Sequence, residues 1–181
     1  MKVTVVPHDL AWRREFNVEA RQITECLGDV IIRLHHIGST AIPGLPAKPT
    51  IDILMEVVDL ESVDAATPSL KTLGYEAMGE YGIPRRRYFR KNDASGKRTH
   101  HVHAFELGSD EVRRHLAFRD YLIAHPSAAH AYGELKQELA RLHPDDTEAY
   151  MNGKDAFVKQ HQAQAITWWQ SLPRAALIPN P

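Results

Sequence analysis

The stretch HIGSTAIPGLPAKPTIDILMEV, residues 36–57, decides the fold of this chain. It follows a run of β-branched residues, passes through a loop with three prolines, and enters a strand that alternates regularly. One face of that strand is apolar and carries Ile51, Ile53, Met55 and Val57. The opposite face begins with Asp52. The pattern predicts two strands of one sheet, with a carboxylate near a strand start on the face that is not apolar.

Helical and strand patterns continue on both sides of this stretch. Asp9 precedes a predicted helix that ends near Leu27, and a second helix is predicted over about 61–73. Short strands are predicted within 75–91, around a Gly-Pro turn, and a longer alternating strand over 99–106. This order of elements indicates a core in which helices pack against a sheet.

The chain after residue 108 has a helical pattern only. Ser109 begins one predicted helix, Ser127 a second, and Asp145 with Glu148 resembles the capping box of a third. We therefore expect an α/β (α+β) fold, with a mixed and mostly antiparallel sheet of four to six strands flanked by helices. The predicted organisation is a single compact unit made of a core over 1–108, a helical cap over 109–172 and a loose tail over 173–181.

The composition excludes several classes of protein. The 181 residues carry 22 Lys plus Arg and 23 Asp plus Glu, so no overall positive field can hold nucleic acid or an acidic membrane. No stretch approaches the roughly 18 apolar residues of a membrane span. The single cysteine, Cys26, cannot form an internal disulfide, and we expect a cytoplasmic protein. The oligomeric state is left open.

The turn Gly38-Ser39-Thr40 is a candidate phosphate site. Glycine lets the backbone approach a ligand closely, and hydroxyl and backbone N–H groups bind phosphate oxygens. Lys48 adds positive charge, and Asp52 supplies a carboxylate for a divalent ion. The combination favours a phosphate–metal site with Ser39 and Asp52 as catalytic residues. The alternative is an ordinary turn followed by an aspartate that caps a loop.

The chain resembles a known family. The Gly-Ser turn followed by Ile51-Asp52-Ile53 is similar to the start of the nucleotidyltransferase superfamily motif, and nearly the whole chain resembles the GrpB family, which has been suggested to belong to that superfamily. The resemblance rests on Pro7 to Phe16, HIGSTAIPGLPAKPTIDILMEV, GIPRRRYFRK, THHVHAFE, HLAFRDYLIAHP, and the pairs Tyr132/Lys136 and Tyr150/Lys154. It implies a nucleotidyltransferase-like core that binds a nucleotide, or another phosphorylated small molecule, and a divalent metal.

One position departs from the superfamily pattern. The second carboxylate should lie two residues after Asp52, where this chain has Leu54. Glu56 shares the strand face with Asp52 but lies about 13 Å further along, at roughly 3.3 Å per residue. Because Mg²⁺ holds its ligands at about 2.1 Å, Asp52 and Glu56 are not expected to share one ion.

Two histidines on the last predicted strand are candidate metal ligands. His101 and His103 share one strand face, with Cα atoms about 6.6 Å apart, so their imidazoles can converge on one ion. If this strand neighbours the strand of Asp52, the three residues form a His, His, Asp set. Imidazole favours Zn or Mn over Mg, and the identity of the metal is left open among the three. The alternative is a pair of half-exposed histidines bonded to their neighbours.

Basic residues supply further phosphate ligands. Alternation places Arg86, Tyr88 and Arg90 on one strand face, where a guanidinium can bind phosphate and an aromatic ring can stack on a base. The alternative is a solvated hairpin edge. On the helices, the superfamily resemblance implies that Lys136 and Lys154 hold nucleotide phosphates and that Tyr150 lies near the base or ribose. The alternative is a tyrosine ring packed along a lysine stem. The proposed phosphate or nucleotide ligands are Gly38, Ser39, Thr40, Lys48, Arg86, Lys136, Tyr150 and Lys154.

These residues predict a nucleotidyltransferase-like protein that binds a nucleotide and a divalent metal and transfers a nucleotidyl group to an unknown acceptor. Two alternatives remain open. The missing second acid is compatible with an inactive nucleotide-binding or accessory module, which the family resemblance connects to coenzyme A metabolism. A histidine-bound water could instead hydrolyse a phosphate ester.

Overall fold

The computed structural model describes residues 2–173. Its strands are β1 (Ile31–Ile37), β2 (Ile51–Val57), β3 (Tyr75–Ala77), β4 (Arg87–Asn92) and β5 (Arg98–Glu106). Its α-helices are α1 (Ala11–Leu27), α2 (Leu60–Thr72), α3 (Asp110–Ala124), α4 (Pro126–Leu142) and α5 (Thr147–Ser171), with short 3₁₀ turns at Gly28–Val30 and Ser39–Ala41.

The strands form one five-stranded sheet in the order β1-β2-β5-β4-β3. β2 and β5 run parallel, and the other three neighbouring pairs are antiparallel. This arrangement confirms the predicted mixed, mostly antiparallel sheet flanked by helices. It also places the strand of Asp52 directly beside the strand of His101 and His103, as the metal hypothesis requires.

The apolar face of the sheet packs against α1 and α2. The alternation predicted for β2 is confirmed, because Ile51, Ile53, Met55 and Val57 all lie in one core cluster. The helices contribute Trp12, Phe16, Ile23, Val63 and Leu70 to the same cluster. Each large apolar side chain buried in this way contributes about 1.5–3 kcal/mol, so this face anchors the sheet.

The other face of the sheet is only partly covered. Val112 of α3 packs on Ile37, Leu54 and Phe105, which closes the middle of this face. Nearer the start of β2, the side chain of Asp52 keeps 27% of its exposure. The chemistry-bearing residues of the sheet therefore lie at the edge of the helical cover.

Helices α3, α4 and α5 follow one another at the C-terminal side. The Ser109 hydroxyl accepts the Val112 N–H at the start of α3, as the sequence predicts. At the start of α5 the predicted cap was wrong by one residue, because Asp146, not Asp145, accepts the Ala149 N–H at 2.9 Å. Asp146 lies nearer to the first turn of α5 than Asp145 does, and its carboxylate reaches the Ala149 N–H.

The division into a core over 1–108 and a cap over 109–172 stays a prediction. The predicted loose tail lies outside the described residues from 174 onward. None of the helices within residues 2–173 combines the length and apolar character needed to cross a membrane.

Candidate functional site

Asp52, His101 and His103 come together on the partly covered face; we call them the sheet cluster. Asp52 is the register partner of His101 across the parallel β2–β5 pair, and alternation puts His103 on the same face. The Asp52 Oδ1 atom lies 2.9 Å from His101 Nδ1 and 3.9 Å from His103 Nε2. One potential ligand atom from each residue lies within 4.8 Å of the others.

The electrostatics of the sheet cluster favour an ionised Asp52 and a neutral His103. Burial acts to raise the pKa of Asp52, but the neighbouring His101 and His103 imidazoles lower it below its ordinary value. Burial lowers the pKa of His103, although Asp52 opposes that shift. A carboxylate next to neutral imidazole is the protonation state that a metal ion requires.

The donor set decides which metal fits. One carboxylate oxygen and two imidazole nitrogens suit a single Zn or Mn ion better than Mg. A second carboxylate is absent from this part of the described sheet, because Leu54 is buried and the Glu56 Oε1 atom lies 2.6 Å from His35 Nε2. The arrangement therefore fits one cation with mixed nitrogen and oxygen ligands rather than a two-metal carboxylate site.

Arg86 contacts the sheet cluster through the Nδ1 atom of His103. Its Nη1 atom lies 3.5 Å from His103 Nδ1, at the upper limit of a hydrogen bond. A guanidinium can only donate, so this contact favours the His103 tautomer with its proton on Nε2, facing Asp52. A cation that binds at Nε2 needs the other tautomer, with the proton on Nδ1, so the contact between Arg86 and Nδ1 must change when a metal binds.

Position 38 requires a glycine, because the backbone there lies against Asp52. Its φ is +70°, which L-residues with a side chain rarely adopt. A Cβ atom built on Gly38 would also lie 2.4 Å from Asp52 Oδ2. The glycine predicted to approach a ligand thus approaches the catalytic candidate itself and lets the turn at Ser39 lie directly beside the carboxylate.

Ser39 connects the turn to α4. The Lys136 ammonium donates to the Ser39 hydroxyl at 2.8 Å and to the Pro46 carbonyl at 2.5 Å. It also lies 4.6 Å from the centre of the Tyr132 ring. The Tyr132/Lys136 pair therefore meets the Gly-Ser turn through its lysine.

Two further lysines surround the buried ring of Tyr150. The Lys48 ammonium lies 5.3 Å and the Lys154 ammonium 5.2 Å from the ring centre. With Lys136 they form what we call the lysine cluster. No carboxylate of residues 2–173 lies within ion-pair distance of any of these three ammonium groups. Cations that are partly or fully buried without a counter-ion are costly unless an anion binds them.

The pKa values of the lysine cluster reflect this cost. Burial, and secondly the charge of Lys154, lower the pKa of Lys136 to about 7. Burial and the charge of Lys48 lower the pKa of Lys154 to about 8, against the opposing effect of Asp52. Burial also lowers the pKa of Lys48. Lys136 contacts Ser39, and the neighbouring Gly38 lies against Asp52, so the two clusters lie close together.

Three predicted ligands have different surroundings from those expected. The Thr40 hydroxyl is buried and lies 2.9 Å from His36 Nε2, so its side chain faces the core. Tyr150 is 1% exposed, so its ring contacts lysines rather than an open base site. Arg86 precedes β4 instead of lying in it, and its guanidinium donates to the carbonyls of Glu80 and Tyr81. The side chains of these three residues contact other residues of the protein around the site.

The comparisons with known proteins agree with this architecture. Residues 2–164 match the family model described as GrpB protein. The chain belongs to the GrpB family. YqkA of Bacillus subtilis is 44% identical over 167 residues, which are 92% of this chain and 48% of that protein. The chain therefore spans about half the length of this relative.

Solved structures place the GrpB fold among nucleotidyltransferase-like folds. The crystal structure of conserved protein GrpB from Enterococcus faecalis is similar at a TM-score of 0.89 with 42% identity, covering 93% of this chain and all of that chain. Terminal uridylyl transferase 4 from Trypanosoma brucei with bound GTP has a TM-score of 0.56 with 14% identity, covering 97% of this chain and 58% of that chain. At this identity the second likeness shows the fold alone.

The relatives of this GrpB chain include proteins with an enzyme name. Dephospho-CoA kinase of Mycolicibacterium paratuberculosis is 27% identical over 192 residues, and the match spans 93% of this chain and 47% of that protein. A GrpB-like sequence therefore makes up about half of a longer protein in that organism.

Two further groups lie beside the histidines, a place that the sequence analysis assigned to neither of them. His115 of α3 has its ring 5.6 Å from that of His103, and no spacing in the sequence connects the two residues. Tyr88 lies 5.2 Å from His103 and 5.5 Å from His101 between ring centres. The alternation of Tyr88 with Arg90 placed it on a polar strand face, but only the pairing of β4 with β5 brings it to the histidines.

Proposed function

We propose that this protein binds a nucleoside triphosphate between the lysine cluster and the sheet cluster and transfers its nucleotidyl group to an acceptor hydroxyl. The observation that carries the proposal is the lysine cluster, three ammonium groups without a carboxylate partner among the described residues, beside Ser39 and Asp52. Triphosphate is an anion of matching charge. The nucleotidyltransferase-like fold and neighbours solved with bound GTP and dUTP support the choice of a nucleotide.

Each residue has a task in this proposal. Lys136 and Lys154, with Lys48, neutralise the phosphates and hold the leaving pyrophosphate. Ser39 donates to a phosphate oxygen, and Gly38 keeps the turn against Asp52. The acceptor oxygen forms a bond to the α-phosphorus, the bond to the bridging oxygen breaks, pyrophosphate leaves with its electron pair, and the hydroxyl proton passes to water.

Asp52, His101 and His103 would hold the divalent cation. When bound there, a cation supplies positive charge that makes the acceptor hydroxyl more acidic and stabilises charge on the α-phosphate. The cluster offers only one carboxylate, so a metal with affinity for imidazole, Zn or Mn, is the better candidate.

A nucleotide-binding accessory module is the second candidate function. It is favoured by the buried Leu54 at the position of the second acid and by the match to half of a dephospho-CoA kinase. Such a module would use the lysine cluster for a phosphorylated ligand, such as a coenzyme A precursor, without turnover.

The first experiment measures binding. The melting temperature of the full chain is recorded with ATP, GTP, CTP, UTP or inorganic triphosphate, each with and without Mg²⁺, Mn²⁺ or Zn²⁺. A ligand at 100 times its Kd stabilises the native state by about 2.7 kcal/mol, which such a scan detects readily. No stabilisation in any combination would contradict both nucleotide functions.

The second experiment measures turnover. The chain is incubated with triphosphates labelled on the α-phosphate, and Asp52→Asn is the matched variant. A transferase releases pyrophosphate and labels an acceptor, and Asp52→Asn abolishes both. A hydrolase labels no acceptor, and an accessory module gives neither product while Asp52→Asn binds triphosphate as well as the unchanged chain or better, because a nearby negative charge is removed.

A further inference from the structure

The loop that joins β3 to β4 holds an exposed aromatic ring beside the sheet cluster. Tyr81 in this loop is 59% exposed, and its ring lies 5.3 Å from that of Tyr88 at an angle of 29°. Tyr88 in turn lies 5.2 Å from His103 between ring centres. The buried ring of Tyr88 therefore lies between the exposed Tyr81 and the candidate metal ligand His103.

The backbone of this loop is strained. Tyr81 has a φ of +45° and Arg85 a φ of +58°, and they are the only non-glycine residues with positive φ in the part of the chain that the structure describes. A tyrosine in this conformation costs free energy that a glycine would not. Strain of this kind persists where the surroundings determine the conformation, and it is concentrated at ligand-binding sites.

The surroundings hold the strained loop from the side of the sheet cluster. The Arg86 guanidinium donates to the Tyr81 carbonyl at 2.7 Å and to the Glu80 carbonyl at 3.1 Å. The same guanidinium lies 4.9 Å from the centre of the Tyr88 ring and contacts His103. The Glu80 carboxylate accepts the Arg85 N–H at 2.6 Å, which fixes the second strained residue. Arg86 therefore fixes the position of Tyr81 relative to His103.

The order of the strands determines which substrate this ring would face. An in-line displacement places the attacking oxygen opposite the leaving group. In the proposed function the pyrophosphate lies at the lysine cluster, on the β1–β2 side of Asp52. Tyr88 and Tyr81 lie on the opposite side, beyond β5, because the sheet order is β1-β2-β5-β4. The attacking hydroxyl would thus enter from the side of these rings.

We propose that Tyr81, supported by Tyr88, stacks against the acceptor, and that the acceptor is a nucleoside or a similar small molecule with a flat heteroaromatic ring and a free hydroxyl. The assignment of the stacked ligand as the acceptor rests on the proposed function, whereas the stacking site itself does not. The formal net charge of -1 favours a small molecule over a polynucleotide. Every base presents a flat π-face, so stacking gives affinity for the ring with little base preference.

The test measures adenosine and uridine binding to the full chain by calorimetry, without phosphate or metal. Tyr81→Gly removes the ring and accepts the positive φ, so it is expected to fold with an unchanged or higher melting temperature. It should weaken nucleoside binding about 5-fold to 100-fold, the range expected for one stacked base. Tyr81→Phe keeps the ring and should bind within twofold of the unchanged chain.

The outcomes separate this inference from the proposed function. Nucleoside binding that is absent, or that Tyr81→Gly leaves unchanged, overturns the stacking site, even if triphosphate still binds at the lysine cluster. Nucleoside binding that depends on Tyr81 supports the stacking site, even if inorganic triphosphate does not bind and the proposed function fails. Lys136→Met, which should reduce triphosphate binding, is expected to leave nucleoside binding unchanged.

Discussion

The sheet cluster and the lysine cluster lie side by side but are built in different ways. The sheet cluster comes from two adjacent strands, and its aspartate is hydrogen-bonded to His101 at 2.9 Å, with His103 3.9 Å away. The lysine cluster collects residues from a loop, α4 and α5, and has no carboxylate partner among the described residues. The charged group of the sheet cluster has a hydrogen-bond partner inside the cluster without a ligand, whereas the lysine cluster carries an excess of positive charge.

This difference indicates which cluster depends on a ligand for stability. Removing a charge from the sheet cluster should weaken a local network, whereas removing a charge from the lysine cluster should relieve repulsion and desolvation. Triphosphate affinity should therefore respond mainly to the lysines, and metal affinity mainly to Asp52, His101 and His103. The variants that follow test this division.

Leu54→Asp has the largest expected effect. It would supply the second acid that the sheet cluster lacks, but Leu54 is fully buried against Phe105 and Val112. Lost packing and a buried charge should lower the free energy of unfolding by about 4 kcal/mol or more, without a gain in metal affinity. Denaturant unfolding measures the loss, and Leu107→Asp, at a leucine that is 53% exposed, should stay within about 0.5 kcal/mol of the unchanged chain. A stable Leu54→Asp protein that binds Mg²⁺ more tightly would show that the sheet cluster accepts a second acid.

Gly38→Ala is expected to affect the sheet cluster more than the lysine cluster. Its Cβ would meet Asp52 at 2.4 Å, so the carboxylate must move and metal affinity should fall more than tenfold. The positive φ adds about 1–2 kcal/mol of instability. Gly96→Ala is the matched control, because Gly96 also has a positive φ, +83°, but open space around the new methyl group. Calorimetry with Zn²⁺ compares the two, and equal metal affinity in both variants would refute the role of Gly38.

Lys136→Met should separate stability from binding. Removing a buried, unpaired charge is expected to leave the free energy of unfolding unchanged or higher. Triphosphate binding should weaken about 10-fold to 150-fold, the value of a charge-assisted hydrogen bond of about 1.5–3 kcal/mol. Zn²⁺ affinity should not change. Lys159→Met removes an exposed lysine that pairs with Asp155 and should alter neither stability nor triphosphate binding. A loss of Zn²⁺ affinity in Lys136→Met would mean that the two clusters act as one unit.

Changes in pH should affect the two clusters in opposite directions. With pKa values of about 7 for Lys136 and about 8 for Lys154, metal-free triphosphate binding should weaken between pH 6 and pH 9 as the lysines lose charge. Zn²⁺ binding should strengthen over the lower part of this range, because histidine ligands must be deprotonated. Titration calorimetry at several pH values measures both trends, and two parallel trends would contradict the division.

The same lysine pKa values predict a change in stability. The folded-state pKa values lie below the ordinary value of 10.5, so the unfolded chain binds more protons between about pH 7 and pH 10.5. The ligand-free protein should therefore become more stable as pH rises through this window, with the full cost of burial present below pH 7. Lys136→Met should flatten the rise, and a fall in stability for the unchanged chain would contradict buried, unpaired lysines.

Much of the sheet could be predicted because strand alternation is a local property. The spacing of Asp52 and of the two histidines assigned each residue to a strand face, and the pairing of β2 with β5 places those faces together. The cap of α5 was predicted one residue too early, because Asp145 and Asp146 have the same chemistry in sequence and differ only in reach. Thr40 was predicted to face the phosphate, but its hydroxyl contacts His36, and the 3₁₀ turn that directs it inward has no clear sequence pattern.

The sequence by itself determined the fold class, the family resemblance and the strand faces of Asp52, His101 and His103, because these depend on local periodicity and on motifs within short segments. Only the tertiary structure decided that Lys136 reaches Ser39, that Lys48 and Lys154 surround Tyr150, and that α3 covers Leu54. Those contacts join residues far apart along the chain, such as Lys136 and Ser39, which are 97 positions apart. They depend on how the helices pack on the sheet, and that packing sums many small contacts that no single segment encodes.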